Sequence, residues 1–280
     1  MARNTSIEWT DHTFNPWWGC SKVSPACKYC YAEAWAKRVG QDVWGKQSSR
    51  RFFGEQHWGE PIRWNSEAEQ SRSRRRVFCA SMADVFEVRA DLKSERDKLW
   101  QLIAITPWLD WLLLTKRPQN IQRFVPWCKH WPENVWIGTT VENQKWAAIR
   151  LPQLLRFPAK RRFLSCEPLL GPLDLKKWIS ARPSHLHPID WIIAGGESGP
   201  AARAMLPGWA RNLRDQCRLA GIPFHFKQWG HWAPARKKGG STKAFWDEVQ
   251  GRLIKMDPLG KKSAGRFLDG KTWDQVPKAA

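Results

Sequence analysis

A chain of 280 residues with 46 Lys and Arg against 26 Asp and Glu carries a formal charge of +20, which attracts polyanions, nucleic acid first among them. Its longest apolar runs, such as Trp111-Leu112-Leu113-Leu114, fall far short of the roughly 18 to 20 residues of a membrane span, and the polar opening MARNTSIEWTDH lacks the apolar stretch of a signal peptide. A membrane or secreted protein is therefore not expected, a cytoplasmic one is, and the length suits one α/β domain with or without appendages.

The first predicted element is a short strand near His12 to Phe14, followed by a loop in which Cys20, Cys27 and Cys30 are separated by six and then two residues. In a reducing compartment a tight cysteine cluster points to metal more often than to disulfides. Three thiolates leave one position open. In a [4Fe-4S] cluster that position is a free iron able to take a cofactor or substrate; in a zinc site His12 or His57 completes the tetrahedron; the third alternative is no metal. Cys79, Cys128, Cys166 and Cys217 read as plain core or surface thiols.

A helix over Tyr31 to Arg38 comes next, then a polar, Trp-, Gly- and Ser-containing stretch from Val39 to Arg76 that reads as an inserted excursion and ends in the basic group Arg72, Arg74, Arg75 and Arg76. Further runs of continuous apolar character follow at 77–81, 111–115, 135–139, 162–165, 191–194 and 223–226. Continuous rather than alternating apolar residues mark strands covered on both faces of a parallel sheet. Between them lie helix patterns. Leu92, Leu99 and Ile103 share a face, with Ser94 and Asp97 spaced as a capping pair; Trp209, Leu213 and Cys217 recur after Pro207 and before Gly221, helix start and stop signals. The alternation predicts an α/β fold, a full or partial (β/α) barrel of about six parallel strands over 1–230, with an insertion at about 39–76 and a basic C-terminal extension over 231–280 that opens on the link Arg236-Lys237-Lys238-Gly239-Gly240.

Each predicted strand is followed by a polar group: Asp84, then Lys116 and Arg117, Glu142, Glu167, Glu197 after Gly195-Gly196, and Lys227-Gln228. Barrels place their active sites at these carboxyl ends. Glu167 and Lys227 are thus candidate catalytic groups. Lys116, Arg117 and the arginines at 72, 74, 75 and 76 are candidate substrate or nucleic-acid contacts, and several of the 21 Trp lie beside cations, as in Lys145-Trp146 and Lys177-Trp178, a pairing that can stack unpaired bases.

The motifs Thr13-Phe14-Asn15-Pro16, Gly19-Cys20 and Pro25-x-Cys27-x-Tyr29-Cys30-Tyr31-Ala32-Glu33 resemble the phage-associated three-cysteine-motif proteins, a domain of unknown function related to the radical S-adenosylmethionine (SAM) enzymes. So do Leu114-Thr115-Lys116-Arg117-Pro118, Gly138-Thr139-Thr140-Val141-Glu142, Ser165-x-Glu167-Pro168-Leu169, Gly195-Gly196-Glu197-Ser198-Gly199, Phe226-Lys227-Gln228-Trp229-Gly230 and Gly265-Arg266-x-Leu268-Asp269-Gly270. The resemblance implies a [4Fe-4S] cluster on Cys20, Cys27 and Cys30 whose free iron binds SAM, with Tyr29 at the adenine. It also implies an electron-donor protein. Gly195-Gly196-Glu197 is similar to the element that binds the SAM amino group, and Asp84, after the second strand, is the alternative. Three functions follow as expectations: radical SAM chemistry on a nucleic-acid base in a phage or mobile-element setting, the same chemistry on a peptide or small molecule, or a zinc-stabilised, non-enzymatic nucleic-acid-binding protein.

Overall fold

The computed structural model describes residues 3–127, 130–180, 184–235 and 242–277; the predicted link at 236–240 and Cys128 lie outside them. Seven parallel strands follow one another in chain order through a single sheet, the order of a (β/α) half-barrel, and three further strands form a separate antiparallel sheet. The chain divides into two compact units, Met1–Ser24 with Ala32–Thr139 and Phe157–Arg162, and Pro25–Tyr31 with Thr140–Arg156 and Phe163–Ala280.

The first unit contains strand β1 (His12–Phe14), helices α1 (Tyr31–Arg38) and α2 (Glu55–Gln70), strand β2 (Arg75–Cys79), helix α3 (Lys93–Ile105), strand β3 (Leu109–Thr115), helix α4 (Ile121–Phe124) and strand β4 (Val135–Thr140). β1 pairs with β2 through Thr13 and Phe78, β2 with β3 through Phe78 and Leu112, and β3 with β4 through Leu113 and Ile137. Val77, Leu112, Leu113 and Ile137 are fully buried, as strands covered on both faces must be.

Two parts of this unit depart from what local sequence signals suggest. The stretch read as an excursion holds α2, which buries Trp58, Pro61, Trp64 and Ala68; Trp64 stacks on His12 at 4.5 Å between ring centroids and Trp58 meets Phe14 edge-on at 5.2 Å. Gly59 and Pro61 lower its intrinsic propensity, but burial of two indoles on one face overrides them. The capping pair does not form, because α3 begins two residues early, at Lys93 with Leu92 at its N-cap. Ser94 lies inside the first turn, and Asp97 accepts from Lys93 Nζ at 2.5 Å.

The second unit contains helix α5 (Gln144–Leu154), strand β5 (Arg161–Cys166), helix α6 (Lys176–Ile179), strand β6 (Trp191–Gly195), helix α7 (Pro207–Leu219), strands β7 (Phe224–Gln228), β8 (Trp232–Pro234), β9 (Lys243–Asp247) and β10 (Arg252–Pro258), and helix α8 (Gly260–Ala264). β5 pairs with β6 through Ser165 and Ile193, and β6 with β7 through Ile193 and His225. α7 matches its sequence signals: Pro207 opens it, Gly221 beyond it has φ +66°, and Trp209, Leu213 and Cys217 are buried.

The small sheet runs β8-β10-β9. It is fastened to α7 by Asp247, whose Oδ2 accepts from Gly208 N at 2.7 Å. A Cβ on Gly208 would stand 2.2 Å from Asp247 Oδ1, so this contact requires glycine. Among the described residues, no helix is long and apolar enough to cross a membrane.

Candidate functional site

In the first unit the residues after β2 and β3 turn inward. Asp84 and Arg117 are 5% and 6% exposed, and charges at that depth are tolerable only when paired and fully hydrogen-bonded. Asp84 meets the requirement: its Oδ1 accepts from Thr115 Oγ1 at 2.7 Å and Phe86 N at 3.0 Å, and its Oδ2 from Lys116 N at 3.0 Å and Arg117 Nη1 at 2.9 Å. All four acceptor positions of the carboxylate are taken.

The same guanidinium reaches the first cysteine. Arg117 Nη1 donates to Cys20 Sγ at 3.6 Å, and Nη2 donates to Ser21 O at 2.9 Å and Ser21 Oγ at 2.8 Å. Ser21 Oγ passes a hydrogen bond of 2.6 Å to Glu87 Oε1, which also accepts from Arg50 Nη2 at 2.9 Å. Arg50 in turn donates to the carbonyls of Val43, Gly45 and Ser48. Gly19 completes the clamp on the loop: with φ +115° and Val43 O only 2.3 Å from where a Cβ would sit, the backbone passes where no other residue fits.

The Cys20 sulfur is enclosed although the residue is half-buried, and burial pushes its thiol up to about 12 against the pull of Arg117. Burial disfavours the Arg117 charge, but Asp84, Cys20 and Glu87 outweigh it and raise its pKa.

The predicted basic contacts divide in this unit. Lys116 is half-buried and holds Asp84 through its backbone. Arg72 is exposed in a turn at φ +48°, Arg74 pairs with Asp110 at 2.6 Å, Arg75 is exposed at the start of β2, and Arg76 lies 3.4 Å from Asp11. These four stand at the amino end of β2, whereas Asp84 lies beyond its carboxyl end.

In the second unit Cys27 ends a short 3-10 turn, Pro25–Cys27, and Ala26 N donates to Glu142 Oε1 at 3.4 Å. Glu142 is fully buried and accepts from Arg150 Nη1 at 2.7 Å. Glu167 Oε2 and Lys227 Nζ form an ion pair at 2.9 Å, with side chains 13% and 17% exposed. A Cβ on Gly195 would come within 3.1 Å of that same carboxylate oxygen.

Gly196 has a packing role: a Cβ there would lie 1.8 Å from Trp229 O, and Gly196 N donates to Gln228 O at 3.0 Å. Glu197 is 5% exposed and is gripped by Arg203, whose N and Nε both donate to Oε2 at 2.9 Å and whose Nη2 donates to Oε1 at 2.5 Å. Arg203 Nη2 also donates to Pro25 O at 2.9 Å, and its guanidinium lies 5.3 Å from the Tyr29 ring centre. It thereby ties the Gly-Gly-Glu turn to the segment carrying Cys27, Tyr29 and Cys30.

Arg50, Glu87, Arg150 and Arg203 were missed from sequence. Arg203 and Arg150 left a local signal, six residues after Glu197 and eight after Glu142; Arg50 and Glu87 meet across 37 residues. The Trp residues flagged beside lysines are structural or half-buried: Trp178 is 4% exposed, and Trp146 lies under the Arg150 guanidinium at 4.1 Å.

Among the described residues, no group of three or more His, Cys, Asp or Glu side chains is gathered to hold a single metal ion. The donor chemistry fits an iron-sulfur cluster better than zinc. Cys20, Cys27 and Cys30 are half-buried, whereas Cys79, Cys166 and Cys217 are buried. The two histidines considered as zinc ligands are engaged elsewhere: His12 Nδ1 accepts from Asn4 N at 3.2 Å, and His57 Nε2 lies 2.8 Å from Asn15 O with its ring stacked on Phe53 at 4.1 Å.

A family model described as "Protein of unknown function (DUF5131)" matches residues 4–277. No curated protein sequence matches the chain. Among solved structures, a spore photoproduct lyase variant with bound AdoMet and dinucleoside spore photoproduct is 10% identical over 89% of this chain and 68% of its own, at a TM-score of 0.45. A second spore photoproduct lyase variant is 11% identical over 92% of this chain and 71% of its own, at a TM-score of 0.47.

Proposed function

The chain belongs to the DUF5131 family of proteins of unknown function, and we propose from its own residues that it is an iron-sulfur enzyme of the radical SAM type acting on a nucleic-acid base. The observation that carries this reading is the cysteine loop. Of the six described cysteines, only the three at 20, 27 and 30 are half-buried rather than buried, and their number is that of a cluster with one iron left without a protein ligand. Cys20, Cys27 and Cys30 would hold such a cluster, and the chemistry it would supply is reductive cleavage of SAM for hydrogen abstraction from substrate.

The chain's own groups have separable tasks. Arg117 donates toward the Cys20 sulfur and holds it in one orientation. Arg203 fixes Glu197 and Tyr29, where a cofactor's polar groups and adenine would be met, with Gly195 and Gly196 lending the close backbone approach. The Lys227 Nζ and Glu167 Oε2 pair holds a proton at the edge of solvent, available to a substrate. The net charge of +20 supports a polyanionic substrate. Reduced cysteines suit the reducing cytoplasm, and the phage or mobile-element setting belongs to the same proposal.

Anaerobic purification with iron, sulfide and zinc analysis tests it, followed by assay for 5'-deoxyadenosine with SAM and a reductant. Iron and sulfide are expected in the wild-type and Cys217→Ala proteins and lost in Cys20→Ala, Cys27→Ala and Cys30→Ala. Equal iron in Cys27→Ala and wild type would sink the assignment. Zinc without iron would replace it by the non-enzymatic reading, and turnover raised by peptide but not by nucleic acid would move the substrate.

A further inference from the structure

A cavity of about 510 Å³ opens in the second unit beside the cysteine segment. Its wall includes Pro25, two residues before Cys27, and Arg203; the opposite wall is the small C-terminal sheet, represented by Trp232, Lys243 and Phe245. The register explains why these three converge. Met256 of β10 pairs with both Pro234 of β8 and Lys243 of β9, and Ile254 pairs with Phe245. Residues two apart on a strand share a face, so Trp232, Pro234, Met256, Lys243 and Phe245 point to one side, and Trp246, Leu253 and Lys255 to the other.

The lining has a definite chemical character. Trp232 and Phe245 pack edge to face at 5.5 Å, and the Trp232 indole is fixed by donation from Nε1 to Ala202 O at 2.7 Å. Lys243 Nζ lies 5.5 Å from the Trp232 ring centre, and no carboxylate among the described residues pairs with it. None of the described residues lining the cavity is acidic. A volume in this range suits a small ligand. Rigid aromatic faces beside an unneutralised cation select a planar group carrying negative charge.

We propose that this cavity seats a nucleotide of the substrate strand, its base against Phe245 and Trp232 and its phosphate toward Lys243, so that the C-terminal sheet is a substrate-binding element. The inference deepens the proposed function and takes from it only the choice of a nucleic acid. SAM shares the purine but carries a sulfonium cation in place of a phosphate, which the charge of Lys243 disfavours.

The test is binding of a labelled single-stranded tetranucleotide, and of its abasic counterpart, to the full-length protein by fluorescence anisotropy. Phe245→Ala and Lys243→Ala are each expected to weaken binding of the tetranucleotide about tenfold, the scale of one base stack or one close phosphate contact. Phe245→Leu should recover little and Lys243→Arg most of the loss. Lys255→Ala and Trp246→Ala, on the other face of the same sheet, should stay within about twofold. The abasic strand should lose its dependence on Phe245. Wild-type affinity in Phe245→Ala and Lys243→Ala, equal losses in the two opposite-face variants, or competitive displacement by SAM whose own affinity falls in the same variants would each overturn the inference. Iron and 5'-deoxyadenosine are measured on the same preparations. Absent iron with the expected binding losses rejects the radical reading alone, and normal iron with unchanged binding rejects the cavity alone.

Discussion

Both units bury charged pairs, the second burying Glu142 with Arg150 completely, but the other two ion pairs near strand ends in the second unit differ from the network of the first. In the first, Asp84, Glu87, Arg50 and Arg117 close on one another until every carboxylate oxygen has a donor, and Cys20 is held at the margin of that network. In the second, Glu167 with Lys227 and Glu197 with Arg203 are pairs whose cations retain 17% and 33% exposure, and Arg203 lines an open cavity. A saturated network can position a neighbour but has no free valence to offer a ligand. A pair at the edge of solvent can exchange one partner for another.

The sharpest way to break this contrast is to remove one member from each side. Asp84→Ala leaves Arg117 buried without its main partner, and the loss is expected to be about 3–5 kcal/mol in denaturant unfolding. Lys227→Met, at a shallower pair, should cost only about 1–2 kcal/mol while lowering turnover severalfold or more. Comparable destabilisation by the two would erase the distinction.

A smaller effect comes from Gly59, which lies in α2 with nothing within 4 Å of a Cβ. Gly59→Ala should stabilise the protein by about 0.5–1 kcal/mol, read as a raised midpoint of unfolding. A loss instead would mean that α2 is not governed by helix propensity at that site.

Acid provides the smallest and most selective probe of the first unit. Burial, with Arg75 and Arg3 opposing Asp11 and Glu67, lowers the pKa of His12, and burial likewise lowers that of His57. A base held neutral in the folded state and charged more easily when unfolded contributes stability above the ordinary value of about 6.5, and that contribution is lost as pH falls through the folded values. The melting temperature should therefore decline from pH 7 toward pH 5, and His12→Gln should make the decline shallower. An unchanged slope in that variant would exclude His12 as its source.

Much of the fold was legible because continuous apolar runs such as Trp111 to Leu114 carry their own signature, and α1 was bounded correctly at Tyr31 and Arg38. α2 was not legible, because its determinant is the burial of Trp58 and Trp64 against β1 rather than any local preference. For the candidate site, sequence gave position without pairing. That Asp84, Arg117 and Glu197 follow strands could be read directly; that β7 runs on through Lys227 to Gln228, that Arg117 turns to Cys20, or that Arg50 meets Glu87 across 37 residues, is a product of folding.

If the protein acts on nucleic acid as proposed, the placement of Arg72, Arg74, Arg75 and Arg76 at the amino end of β2, with Asp84 beyond its carboxyl end, bears on how a long strand would be handled. Five strand residues at about 3.3 Å each separate the two ends by roughly 16 Å. A strand bound by those arginines would be held at a distance from Asp84, as a mooring that lengthens residence and raises local concentration without reading a base. Short oligonucleotides, too small to reach both ends, should be indifferent to the four arginines, and dependence on them should switch on with strand length.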